Sequence, residues 1–295
     1  MTSQAEIPAS DRLIVALDVP TVSAAKELVT VLDDTVVFYK VGLELFMSGD
    51  AFELVTWLRE RDKKVFVDLK FFDVPATVGR AVSQLNGLGI TFATIHGNDA
   101  IMQAAAAAAE DVEILAVTVL TSLDRGDLSD LGFDCDVSEL VVSRARRAVV
   151  HGCAGVVASG QEAALLRREL GNTLLVVVPG IRPVDNQDDQ KRTVSAEQAL
   201  RDGADYLVVG RPIRDANDPK AAAVQIQKEI YEGFKSHVRD RRGKRLSDDS
   251  DLLFNGDVWT GKRALELGMV DGLGDLYSVT RERFGEEVRI RFVDI

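Results

Sequence analysis

The chain has 295 residues, with 35 Lys and Arg against 47 Asp and Glu and a formal net charge of -12 at pH 7. That acidity argues against nucleic acid as the main partner, so an anionic ligand needs a local cationic site. The length accommodates one α/β barrel of about 250 residues plus a remainder, and not a second full-sized domain.

The opening residues, MTSQAEIPASDR, carry neither a basic start nor an apolar run, so no secretory signal or membrane anchor is expected and the expected compartment is the cytoplasm. The two cysteines, Cys135 and Cys153, lack metal-ligand spacing and are expected to be reduced structural thiols.

Taken in chain order, one unit recurs: a short β-branched run, a loop and an amphipathic helix. The runs are RLIVALDV, TVVFYKV, KVFVDLK, TFATIH, EILAVTVL, AGVVAS, LLVVVP and DYLVVG. Helical patterning falls on SAAKELVTVL, AFELVTWLRERD, the Ala-rich stretch from Asp99 to Glu110, and SELVVSRARRAVVHG. Strands buried on both faces read as nearly continuous Val/Ile/Leu, and eight of them alternating with helices predict an α/β fold of the (β/α)8 barrel type. An open doubly wound sheet is the alternative. The last unit is expected to end with a helix from about Asp218 to Tyr231, giving a barrel over 1–232 and a small α/β appendage over 233–295. Gly233 to Ile295 holds 12 basic and 12 acidic residues, so the whole negative excess belongs to the barrel.

Barrel enzymes build their sites at the C-terminal ends of the strands. Here those ends carry Asp18, Lys40, the Asp68/Lys70 pair with Asp73 beyond it, His96, Thr121 with Ser122, Pro179-Gly180 with Arg182, and Gly210-Arg211. Asp68 and Lys70 are two apart on one strand and are expected to face the same side, inward near the mouth, with Lys40 facing the same space from the neighbouring strand. Ammonium and carboxylate groups enclosed together are tolerable only if each is paired, and such arrays mark functional sites more often than structural ones. The two Gly/Arg turns after the seventh and eighth strands occupy the place where these barrels bind phosphate. His96 is expected to be a neutral, hydrogen-bonded residue at the barrel mouth, and Gly152, Gly155 and Gly160 to serve packing and turns.

The segment DLKFFDVPATV (Asp68 to Val78), with YKVG before it and VTVLTS, PGIRP, DDQKR and VVGRP after it, resembles the signature of orotidine 5'-phosphate decarboxylases over about Asp11 to Tyr231. The resemblance implies a cofactor-free, metal-free lyase whose catalytic lysine is Lys70, in an array with Lys40, Asp68 and Asp73. It implies that Asp18 and Thr77 contact the ribose-phosphate portion, that Thr121 and Ser122 lie near the pyrimidine, and that Arg182, Gln190, Gly210 and Arg211 hold the phosphate. It also implies a homodimer in which Asp73 and Thr77 reach the partner's site. Phe72 and Ala76 depart from the His and Asn common in bacterial members. Related magnesium-dependent sugar-phosphate decarboxylases and synthases are expected to carry an acidic residue where this chain has Lys40, and a lysine there disfavours a divalent cation.

The remainder, FKSHVRDRRGKRL and LFNGDVWTGKRALELGMVDGLGDL, resembles the C-terminal portion of signal-peptide-peptidase-like serine peptidases, with Gly256, Thr260, Gly261, Gly268, Gly272 and Gly274 fitting that family's turns. That family's catalytic serine and lysine lie upstream of this portion, so a remnant without peptidase activity is expected. RDRRGKR, Arg239 to Arg245, is expected to be a solvated helix end rather than a polyanion patch.

Overall fold

The computed structural model describes residues 7–182, 194–247, 250–254 and 257–290. Eight parallel strands pair in sequence order and close: β1 Leu13–Ala16, β2 Phe38–Gly42, β3 Lys64–Phe71, β4 Phe92–His96, β5 Glu113–Val117, β6 Gly155–Val157, β7 Leu175–Pro179 and β8 Tyr206–Val209. β1 pairs with β8 from Leu13 opposite Leu207 to Val15 opposite Val209, which excludes the open doubly wound alternative. All eight strands coincide with the apolar runs of the sequence.

Between the strands run α1 Val22–Leu32, α2 Leu43–Met47, α3 Ala51–Arg59, α4 Pro75–Ser83, α5 Asp99–Ala108, α6 Arg125–Asp130, α7 Val137–Val150, α8 Gly160–Leu170, α9 Ala196–Arg201, α10 Arg211–Arg214 and α11 Pro219–Arg242. Local chemistry sets several starts. Thr21 accepts the Ala24 N–H ahead of α1, Asp124 closes a capping box on α6, and Pro75 opens α4, where a missing N–H costs nothing. Outward strand residues such as Leu13, Val15, Tyr39, Val41, Val65 and Val67 are buried against the helices. Gly155 lies where an added Cβ would come within 2.5 Å of the Leu175 carbonyl, and Gly152 has φ +77°, in line with the packing and turn roles expected of them. No helix among the described residues is long and apolar enough to cross a membrane. Cys135 and Cys153 are free thiols.

Residues 6–233 form one compact unit, and the chain from Phe234 belongs to a second. The helix expected to stop at Tyr231 continues to Arg242, because no proline interrupts EGFKSHVRDRR and Gly233 alone costs only about 1 kcal/mol of helix propensity. Beyond it come α12 Ser250–Leu253, α13 Gly261–Glu266 and α14 Leu276–Phe284. The appendage was expected to be α/β, yet its described residues form helices and no strand; RIRFVDI, its one β-branched and aromatic run, ends outside the described residues, as does Gly256. Within this unit Phe234 meets Phe254 edge-on at 6.3 Å, and Arg242 and Arg245 both bind Asp271, at 2.8 and 2.6 Å. Two arginines of the RDRRGKR run therefore hold the unit together internally.

Candidate active site

The site follows from the two-residue period of the strands. Inward positions on β2, β3 and β4 read Phe38 then Lys40, Phe66 then Asp68, and Phe92 then Thr94. Phe38, Phe66, Phe92 and Tyr206 fill the barrel with ring centroids 5.2 to 5.9 Å apart, mostly edge-on. This aromatic layer is a buried floor, and the next inward position toward the mouth is polar on each of the three strands.

On that floor the charges alternate. Lys40 Nζ lies 2.9 Å from Asp18 and 3.4 Å from Asp68, and Lys70 Nζ lies 2.9 Å from Asp68. Burial works against the Lys40 ammonium, but Asp68 and Asp18 outweigh it and hold the Lys40 pKa above the ordinary lysine value. Burial likewise opposes the Asp68 carboxylate, while Lys40, Lys70 and the Thr94 hydroxyl more than compensate and keep its pKa below the ordinary one. Both groups are charged at neutral pH. Gly42 makes room for them, since a Cβ there would stand 2.9 Å from both the Asp18 carboxylate and Lys40 Nζ.

Lys70 shares a face with Asp68, as its spacing predicts, but not on a regular strand. The β3–β4 register shifts between Val67 and Phe71, and Lys70 has φ +48°. A non-glycine residue in the left-handed region costs about 1–2 kcal/mol, and such strain concentrates at functional sites. Thr94, fully buried on β4, accepts the Lys70 backbone N–H and donates to Asp68 Oδ1, both at 2.9 Å. Thr94 is absent from the residues singled out at the strand ends; its signal in the sequence is a hydroxyl at an inward position of an otherwise apolar strand.

These groups line a cavity of about 330 Å³ together with Thr121, Ser122, Gly180, Arg182, Gly210 and Arg211. Nine residues given a catalytic or binding role from the sequence thus converge: Asp18, Lys40, Asp68, Lys70, Thr121, Ser122, Arg182, Gly210 and Arg211. Arg214 also lines the cavity; its guanidinium donates to the Asp18 carbonyl and binds Asp215 at 2.6 Å. Three arginines gather at one end, where a guanidinium fork suits phosphate oxygens. Gly180 has φ +78°, and Ile181 bridges to Val194.

Asp73 and Thr77 do not line this cavity. Asp73, on the exposed link between β3 and α4, accepts the N–H of Val74, and Thr77, half-buried in the first turn of α4, accepts from Arg80. Gln190 and most of the DDQKR motif lie outside the described residues. His96 bonds Asn98 through Nδ1 at 2.7 Å and stacks on Phe72 at 4.3 Å; burial lowers its pKa despite that bond, so the ring is neutral at pH 7.

A closed parallel barrel with paired charges over an aromatic floor and arginines at one end of its mouth is suited to an enzyme of the barrel class acting on a small phosphorylated molecule. The sequence pattern of the Orotidine 5'-phosphate decarboxylase / HUMPS family matches residues 11–226, and the chain belongs to that family. It is 66% identical over 234 residues to the orotidine 5'-phosphate decarboxylase of Methylococcus capsulatus, covering 79% of this chain and 97% of that protein. It is 52% identical to the namesake protein of Stenotrophomonas maltophilia, over 77% of this chain and 97% of the relative. The crystal structure of orotidine 5'-phosphate decarboxylase from Lactobacillus acidophilus superposes with a TM-score of 0.67 at 34% identity, covering 75% of this chain and 99% of that one. The family pattern ends at residue 226, before the second unit.

Proposed function

We propose that this chain decarboxylates orotidine 5'-phosphate to uridine 5'-phosphate, the last step of de novo pyrimidine nucleotide biosynthesis, with Lys70 as the catalytic residue. The observation that carries the reading is the Lys70–Asp68–Lys40–Asp18 array at the barrel mouth. The C6–carboxylate bond breaks and its electron pair stays on C6, where no adjacent carbonyl delocalises it. A fixed ammonium lowers the energy of that carbanion, and Lys70 is the cation free to turn toward it, being half-exposed while Lys40 is buried between two carboxylates. Lys70 then gives a proton to C6 as carbon dioxide leaves, and recovers one from solvent. Asp68 faces the departing carboxylate and holds Lys70 in line. Thr121 and Ser122 border the pyrimidine, Asp18 the ribose, and Arg182, Gly210, Arg211 and Gln190 the phosphate, whose binding energy aligns C6 with Lys70.

A magnesium-dependent sugar-phosphate reaction is disfavoured by Lys40, whose ammonium occupies the space between Asp18 and Asp68 where a divalent ion needs oxygen ligands. Following the loss of orotidylate absorbance in excess chelator tests the proposal. Turnover undiminished by the chelator is expected; turnover of a sugar phosphate alone, restored by magnesium, would favour the rival. Replacing Arg211 with Ala removes one charge-assisted hydrogen-bond partner of the phosphate and should raise KM about 10- to 100-fold. An unchanged KM in steady-state kinetics would count against the phosphate assignment.

The active form is a homodimer in which Asp73 and Thr77 serve the partner's site. Their place outside this chain's own cavity supports that reading, as do Phe72 and Val74 beside them, 67% and 63% exposed. Its location is the cytoplasm, a reducing compartment that suits two free thiols. The appendage is a peptidase-like remnant with no catalytic role. Relatives without a counterpart to it span nearly their whole length on the barrel, so a chain ending at Gly233 should keep kcat within about twofold. Loss of folding on that truncation, seen by circular dichroism, would make the appendage structural.

A further inference from the structure

We infer that Thr94 is a positioning residue for the decarboxylation, holding both ends of Lys70 through a single hydroxyl; the inference rests on the proposed function above. The register break between Val67 and Phe71 removes Lys70 from the regular β3–β4 ladder, and its N–H needs another acceptor. Thr94 Oγ1 takes that N–H at 2.9 Å. With the Oγ1 lone pair engaged there, the hydroxyl proton is directed to Asp68 Oδ1, also at 2.9 Å. The same Oδ1 accepts from Lys70 Nζ at 2.9 Å. A closed circuit results: Lys70 backbone to Thr94, Thr94 to Asp68, and Asp68 back to the Lys70 ammonium.

The circuit explains how a left-handed backbone at Lys70 (φ +48°) persists, and how the ammonium is aimed. Thr94 has 0% exposure and does not line the cavity, so it acts through Lys70 and Asp68 and not on the substrate. A β-branched side chain suits the task, because its χ1 is stiff and the hydroxyl direction is fixed. Lys40 and Asp68 are the inward polar residues that follow the aromatic layer on β2 and β3, and Thr94 holds the corresponding place on β4.

The test compares Thr94→Ser with Thr94→Ala, which differ by one oxygen, in the orotidylate absorbance assay with the parent protein in parallel. Serine keeps both bonds and should hold kcat within about threefold. Alanine strands the Lys70 N–H and removes one of the donors to Asp68; a resulting displacement of the ammonium by even about 1 Å should lower kcat roughly 10- to 100-fold, with KM nearly unchanged because the arginine end is untouched. Should the alanine variant fail to fold, Thr94→Val supplies the same comparison with the branched shape kept. Equal kcat for serine and alanine variants of an active parent would overturn the role of Thr94 alone, as would a loss confined to KM. An inactive parent would overturn the decarboxylase reading and this inference with it.

Discussion

Lys70→Ala is expected to lower kcat by at least about 10⁴-fold while leaving affinity for uridine 5'-phosphate within a moderate factor. Two losses combine: electrostatic stabilisation of the carbanion, of order 10²–10³-fold for one group, and general-acid proton delivery, of order 10²–10⁴-fold. Product affinity survives because phosphate and ribose are held elsewhere, at Arg182, Arg211 and Asp18. Folding should survive as well. Asp68 keeps Lys40 at 3.4 Å and the Thr94 hydroxyl, so no buried carboxylate is left uncompensated, and the half-exposed Lys70 pair is worth about 1 kcal/mol or less. Single-turnover kinetics and a thermal melt together check both parts; near-normal turnover would refute the role.

Asp68→Asn should affect stability and rate together. Its carboxylate is the counter-charge shared by two ammonium groups, and its loss leaves Lys40 with Asp18, which is itself well exposed, and takes from Lys70 the carboxylate it contacts. Removing one partner of a buried ionic cluster costs roughly 2–4 kcal/mol here, less than the full buried-pair figure because Asp18 remains. Turnover should fall about 10²–10³-fold, since Lys70 loses the group that aims it. The pH dependence has a definite sign. The folded Asp68 pKa lies below its unfolded value near 3.9, so its contribution is present above about pH 4 and disappears as pH falls through the folded pKa. The gap in melting temperature between parent and variant should therefore be full at pH 7 and close in strong acid. For Lys40, held above its unfolded value near 10.4, the contribution is full below about pH 10 and is lost only as pH rises through the folded pKa. A stability gap that widens with acidity would contradict the charged array.

The barrel was legible because each strand is buried on both faces and therefore reads as an unbroken apolar run, whereas its end reads as a change in chemistry. Lys40, Asp68 and Arg211 could be placed from that alone. The rest depended on three-dimensional facts with weak sequence signals. Nothing in DLKFF announces that Lys70 leaves regular strand geometry, since a register break is a property of two strands together. Thr94 reads as one more β-branched strand residue until the inward phase of β4 is aligned with Lys40 and Asp68. Arg214 lies in a four-residue helix whose only outward sign was its second arginine. α11 runs past Tyr231 although the charged and polar residues there look like a terminus, because Lys and Arg are good helix formers and no proline stops them.

The most direct test is a crystal structure of the protein with uridine 5'-phosphate bound. Lys70 Nζ should lie within about 3–3.5 Å of C6, with the phosphate on Arg211 and Arg182. A nucleotide seated with C6 far from Lys70, or a Lys70 side chain directed into the helix layer or out to bulk water, would contradict the account.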